Sequence, residues 1–176
     1  FELDSLLKLM MESSDNFLAE QTVLMCAESL NGSKSLNTSK IISEIKKKYL
    51  SDLTEFPRWV DGSGLSRYNL FTPRSMVQLL LKIKQEHGKT KEDLERIFHL
   101  LPTAGEGTLR SRFKGHHPFI FGKTGTLSNN HNLSGYLVTK SGKLLIFSYM
   151  NNHYRTKTKF IKEQTDKILT DFYLYY

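Results

Sequence analysis

The sequence predicts an α+β fold in which helices surround an antiparallel sheet. Three observations predict it. Apolar residues recur at helical spacing, between recognisable caps, through a helical part of about residues 1–115. From Pro118 onward, strand-length runs alternate with turn residues, and a last apolar-periodic stretch over 156–173 is long enough to cover one face of a sheet, so strands and final helix occupy about 116–176.

Each element follows in order. Leu6, Leu7, Leu9 and Met10 sit at helical spacing, and Ser13-Ser14-Asp15 interrupts the pattern before a second apolar segment, which reads as helix, turn, helix. The second helix is expected from about Asn16 to Leu30, stopping at Asn31-Gly32, so that Ser14 and Asn16 project from a helical junction. A third helix follows Ser39, with Ile41, Ile42, Ile45 and Tyr49 as its apolar face and Lys46-Lys47-Lys48 as its solvated side. Asp61-Gly62-Ser63-Gly64 then needs unusual backbone angles and is expected as a tight turn near the next helix. That helix opens at Thr72-Pro73, a hydroxyl cap with proline at the first helical position, and carries Met76, Val77, Leu80, Leu81 and Ile83. Thr90-x-x-Asp93 opens a shorter one with Leu94, Ile97, Phe98 and Leu101, ended by Pro102.

The sheet is expected as a three-stranded meander. Its strands are 119–127, 133–139 and 143–149, with a polar loop through Asn129, Asn130 and His131 and a turn at Ser141-Gly142. The final helix offers Phe160, Ile161, Ile168, Leu169 and Phe172 to one face.

A chain of 176 residues suits one domain. No apolar run approaches the roughly 18 residues of a transmembrane helix, and no signal-peptide pattern opens the sequence. The net charge of +7 does not point to nucleic acid, since the basic run is one side of an amphipathic helix and no nucleic-acid module accompanies it. The single cysteine, Cys26, excludes an intrachain disulfide and a cysteine-rich zinc site; within Val23-Leu24-Met25-Cys26-Ala27 it reads as a buried, inert core residue. His116-His117 lacks the spacing and third ligand of a zinc enzyme, so no metal or cofactor is expected.

The chemistry concentrates in two short elements. Lys123-Thr124-Gly125 lies on the first strand, where the hydroxyls of Thr124 and Thr126 share a face and a cation stands beside them, a grouping suited to a carboxylate. Ser14-Asp15-Asn16 taken by itself reads first as a helix cap, with both roles compatible if Asp15 caps while Ser14 and Asn16 face a cleft. A Ser-x-Asn element followed by Lys-Thr-Gly makes two thirds of the signature of serine acyl-transferases; the third, Ser-x-x-Lys, carries the nucleophile.

Four ordered blocks extend this pattern: residues 9–21 around Ser14-Asp15-Asn16; Trp59-Val60-Asp61-Gly62-Ser63-Gly64-Leu65-Ser66-Arg67-Tyr68-Asn69; Gly107-Thr108-Leu109-Arg110; and Lys123-Thr124-Gly125-Thr126-Leu127 with Leu133-Ser134-Gly135-Tyr136. Together they resemble the D-alanyl-D-alanine carboxypeptidase/endopeptidase family of penicillin-binding proteins. The resemblance implies a periplasmic or wall-facing enzyme that cleaves peptidoglycan stem peptides and is acylated by β-lactams. By matching position, Ser14 would relay a proton, Asn16 would bond the substrate amide and Lys123 would tune the relay. Thr124 and Thr126 would hold the terminal carboxylate next to Gly125, and the Thr126 N–H would be an oxyanion donor.

The departure from the family pattern is the nucleophile. Ser5-Leu6-Leu7-Lys8 and Ser43-Glu44-Ile45-Lys46 both spell Ser-x-x-Lys, but the first lies beside Ser14 and the second in the solvated run, so neither is expected to serve. Gly62-Ser63-Gly64 lacks the nucleophile-elbow pattern. The resemblance therefore implies that residues 1–176 are the C-terminal portion of a single penicillin-recognising catalytic domain of β-lactamase/transpeptidase type, inert alone and apt to self-associate through an exposed sheet edge. Two other functions fit the same elements: a β-lactamase-like hydrolase, and a non-catalytic module that binds D-Ala-D-Ala ends or wall polymer.

Overall fold

Four of the helices begin where a side chain accepts from one of their first backbone amides. In the computed structural model, which describes residues 2–31, 37–113 and 115–176, α1 (Leu3–Ser13) ends at Ser14, whose φ of 56° is left-handed. The next helix, α2 (Asn16–Asn31), follows at once, its Leu18 N–H donating to Asp15 Oδ1 at 2.8 Å. Asn37 caps α3 (Thr38–Tyr49). Thr72 accepts from the Ser75 N–H at the start of α4 (Pro73–His87), and Thr90 and Asp93 exchange bonds in a capping box that opens α5 (Lys91–His99). Of the expected stop at Asn31-Gly32, Gly32 lies outside the described residues.

Three strands, β1 (Ile120–Leu127), β2 (Asn130–Val138) and β3 (Leu144–Asn152), form an antiparallel sheet in that order, and α6 (Thr158–Tyr175) follows. Leu127 pairs with Asn130, so only Ser128 and Asn129 turn the chain, with Asn129 at φ 61°. This corrects the expected polar loop: Asn130 and His131 belong to β2, because an asparagine that tolerates the left-handed region lets two residues close the hairpin.

Residues paired across an antiparallel ladder share a face. On one face His131, Leu133 and Leu137 stand beside Thr126, Thr124 and Ile120. There Leu133, Leu137 and Ile120 pack with Leu109, Phe113, Phe119 and Leu169 of α6, each fully buried aliphatic side chain contributing about 1.5–3 kcal/mol. On the other face Ser134 and Tyr136 stand with Lys123 and Phe121. Tyr136 donates its hydroxyl to Leu80 O of α4 at 2.7 Å, and Phe121 stacks on Phe98 of α5 with ring centroids 4.3 Å apart. Helices thus cover both faces. A second cluster of Val23, Ala27, Ile41 and Ile42 joins α2 to α3.

Several expected core residues sit elsewhere. The buried stripe of α6 is Ile161, Thr165 and Leu169, at four-residue spacing, which leaves Phe160 and Phe172 exposed; Thr165 is tolerated inside because its hydroxyl donates to Ile161 O at 2.8 Å. Tyr49 and Leu81 are exposed, with Leu50 buried just past the end of α3. Cys26 is only partly buried beside the α2–α3 cluster.

Two glycines permit close packing near the α1–α2 junction. The Asp61–Gly64 turn docks on α2: a Cβ at Gly62 would stand 2.6 Å from Ala19 O, and the Gly62 and Ser63 amides donate to the Glu20 carboxylate at 3.2 and 3.0 Å. A 3₁₀ turn over Gly107–Leu109 docks on the last turn of α1, where a Cβ at Gly107, itself at φ 45°, would lie 2.6 Å from Glu12 O. Gly107→Ala combines a left-handed backbone with a backbone clash, so a loss of about 2–4 kcal/mol is expected. Urea denaturation should show it exceeding the roughly 1 kcal/mol expected of the cap variant Thr90→Ala.

Candidate active site

Ser14 occupies the left-handed position that ends α1, one residue before the Asp15 cap of α2. Its Oγ accepts a hydrogen bond from Lys123 Nζ at 2.7 Å, across 109 positions of sequence. Lys123 also donates to Thr124 O at 2.9 Å, and burial pulls its pKa below the ordinary lysine value. The two sequence elements therefore meet. Asn16, the first residue of α2, is exposed, and its side chain makes no hydrogen bond among the described residues. Gly125 shares the face of Lys123, and a side chain there would meet only open space.

The phase of the β1–β2 ladder decides what the strand edge presents. The Val138 N–H donates to Phe119 O at 2.8 Å, so odd-numbered residues of β1 exchange backbone bonds with β2 while even-numbered ones turn N–H and C=O away. The outward bonds agree: the Gly122 N–H donates to Pro102 O, and Thr103 donates its hydroxyl to Ile120 O. Thr124 and Thr126 thus direct their N–H groups to the outer edge and their hydroxyls to one face. A cleft of about 660 Å³ lies on that side, lined by residues that include Glu12, Thr108, Arg110, Thr124, Thr126 and Lys162. Among the described residues, Thr108 Oγ1 is the one buried side-chain polar atom without a hydrogen-bond partner.

Behind Thr126 lies a group that the sequence reading missed. His131, 1% exposed, has Nδ1 2.8 Å from Thr126 Oγ1 and Nε2 3.3 Å from Arg112 Nη1. Arg112, also buried, donates from Nε to Asp166 Oδ1 of α6 at 2.8 Å and from Nη2 to the same oxygen. Burial, with the nearby charges of Arg112 and Lys162, lowers the His131 pKa to about 4. Burial pushes the Asp166 carboxyl up, against the Arg112 hydrogen bonds and charge that pull it down. The signal in sequence was Ser128-Asn129: reading it as a two-residue turn puts His131 opposite Thr126.

The candidate and decoy serines have other surroundings. Lys8, three residues from Ser5, contacts Glu12 at 3.4 Å and His99 at 3.3 Å. Lys46, three from Ser43, lies 4.5 Å above the Phe56 ring. Ser63 belongs to the turn docked on α2 through Glu20.

The profile of the D-Ala-D-Ala carboxypeptidase 3 (S13) family matches residues 1–172. The D-alanyl-D-alanine carboxypeptidase DacB of Haemophilus influenzae is 32% identical over 164 residues, 88% of this chain and 32% of that protein. The crystal structure of penicillin binding protein 4 (dacB) from Haemophilus influenzae, complexed with a β-lactam, superposes with a TM-score of 0.77 at 27% identity, over 97% of this chain and 41% of that one. An extended spectrum β-lactamase shares the fold, with a TM-score of 0.69 at 18% identity over 98% of this chain and 63% of its own. The chain spans about a third of the length of the curated relatives it matches.

The His131 shift has a signed consequence. Its folded pKa of about 4 lies below the ordinary 6.5, so between those values the unfolded chain binds more protons and stability rises with pH. At about 1.4 kcal/mol per unit, roughly 3 kcal/mol present above pH 6.5 is lost by pH 4. The raised Asp166 pKa acts in the opposite direction above 3.8, so the comparison with a His131 variant separates the histidine's part. Urea midpoints at pH 4.5 and 6.5 should differ less for His131→Phe than for the unsubstituted chain.

Proposed function

The chain belongs to the D-Ala-D-Ala carboxypeptidase 3 (S13) family, and we propose that the protein it represents is a serine D-Ala-D-Ala carboxypeptidase/endopeptidase of the periplasm or cell envelope, cleaving peptidoglycan stem peptides and acylated by β-lactams. The observation that carries this reading is the 2.7 Å hydrogen bond from Lys123 to Ser14 beside an outward-facing strand edge.

In this reading the attacking serine belongs to a Ser-x-x-Lys element outside these 176 residues. Its oxygen attacks the carbonyl of the penultimate D-alanine; the C–N bond breaks and the terminal D-alanine leaves as an amine. Water then attacks the ester, releasing the shortened peptide and restoring the serine. Ser14 passes a proton from the nucleophile's lysine partner towards the leaving nitrogen, and the ammonium of Lys123 stabilises negative charge on the Ser14 oxygen. Asn16, at the mouth of the junction, bonds the substrate amide. The Thr126 N–H, free on the outer edge, stabilises the oxyanion, a contribution of about 3–4 kcal/mol in comparable sites. Thr124 and Thr126 hold the terminal carboxylate, and the bare Gly125 keeps the approach open.

The 176-residue chain should form no adduct with a fluorescent penicillin, whereas the protein from the full reading frame should form one; in it, Ser14→Ala should slow acylation roughly 10²- to 10⁴-fold. A covalent adduct at Ser5, Ser43 or Ser63 would overturn the placement of the nucleophile. Among the described residues β3 has a strand neighbour on one side only, so the isolated chain should also self-associate through that edge. Sedimentation velocity over a hundredfold concentration range checks this, and a concentration-independent monomer would count against it.

A further inference from the structure

We propose that His131 is a positioning residue that fixes the direction of the Thr126 hydroxyl, so that its proton points at the carboxylate of the substrate. The inference rests on the acyl-transfer reading above and extends it to a residue outside the Ser-x-Asn and Lys-Thr-Gly elements.

A hydroxyl has one proton, and a carboxylate can only accept, so Thr126 serves a carboxylate only if that proton is not already spent on a neighbour. Its close neighbour is His131 Nδ1 at 2.8 Å. Were Nδ1 bare, Thr126 would donate to it and turn lone pairs towards the incoming anion.

Arg112 removes that choice. A guanidinium carries donors and no acceptor, and its Nη1 lies 3.3 Å from His131 Nε2. Nε2 must therefore be the bare nitrogen and Nδ1 the protonated one. His131 then donates to Thr126 Oγ1, which leaves the hydroxyl proton free to point into the cleft.

Asp166 completes the device by taking both Arg112 Nε and Nη2 on one oxygen, which fixes the plane of the guanidinium. The ring is 1% exposed and burial keeps it neutral far below pH 7, so one tautomer persists across the working range. The chain Asp166, Arg112, His131, Thr126 thus runs from α6 through the core to the strand that faces substrate: Arg112 donates to Asp166 on one side and to His131 on the other, and from Arg112 onward each donor points towards the strand.

The test has two arms. Long-range ¹H–¹⁵N correlation spectra of the labelled chain at pH 7 should show His131 protonated at Nδ1 and bare at Nε2; the opposite tautomer, or a charged ring, overturns the proposal whatever the enzyme does. In the protein from the full reading frame, acylation rates are measured with benzylpenicillin and with its uncharged methyl ester. His131→Phe should slow acylation by benzylpenicillin about 10- to 100-fold, with the ester changed less than about twofold, and His131→Asn, whose amide can replace the Nδ1–H, should recover part of the loss. Equal losses with both compounds mean that His131 only maintains the fold, and overturn the positioning role. If the unsubstituted protein is acylated by neither compound, the acyl-transfer reading itself fails, and the proposal falls with it.

Discussion

Lys123 and Ser14 lie 109 positions apart in the chain and 2.7 Å apart in space, and much of the surrounding packing serves to hold that distance. Ser14 has no freedom of its own, since it is the left-handed residue between two helices with separate caps. The helices are in turn held by neighbours that approach without side chains: Gly107 against the end of α1 and Gly62 against the first turns of α2. A hydrogen bond between a flexible ammonium and a hydroxyl contributes modestly by itself. Its value here is positional, because it ties a helical junction to a strand whose partly buried lysine has few other places to go.

The second support is the register of β1 against β2. Side chains alternate along a strand, so a slip of one residue would carry Thr124 and Thr126 to the face of Lys123 and reverse which backbone amides reach the outer edge. His131 would then no longer lie opposite Thr126. A buried apolar residue on the same strand makes such a slip costly, since Ile120 would leave the core face that it shares with Leu133 and Leu137. The geometry of the site is thus specified by residues that never touch a ligand.

Local signals were legible in the sequence and long-range ones were not. Thr72-Pro73, the Thr90–Asp93 box and the Asp15 cap are decided within one turn of helix, and each appears in the structure where its residues indicated. The burial of Thr165 in place of Phe160 and Phe172 was hidden, because a hydroxyl satisfied by its own helix behaves as a small core residue whereas residue type alone favours phenylalanine. Ser14, Lys123, Thr124 and Thr126 were legible as types at a spacing, but their meeting depends on packing. Arg112 and Asp166 are 54 positions apart and look like ordinary surface charges until the fold buries the arginine.

The shortest connection in the sheet has a consequence for how such a strand pair can vary. With only Ser128 and Asn129 between paired residues, the hairpin has no slack in which to absorb an added or deleted residue. An added residue would be taken up as a longer turn or a bulge, and a deleted one would open the last pair or shift the strand. Insertions in a surface loop are cheap in entropy, but this connection also sets the register that places His131 opposite Thr126, so a change in its length that reached the strands would reach the site and not the surface alone.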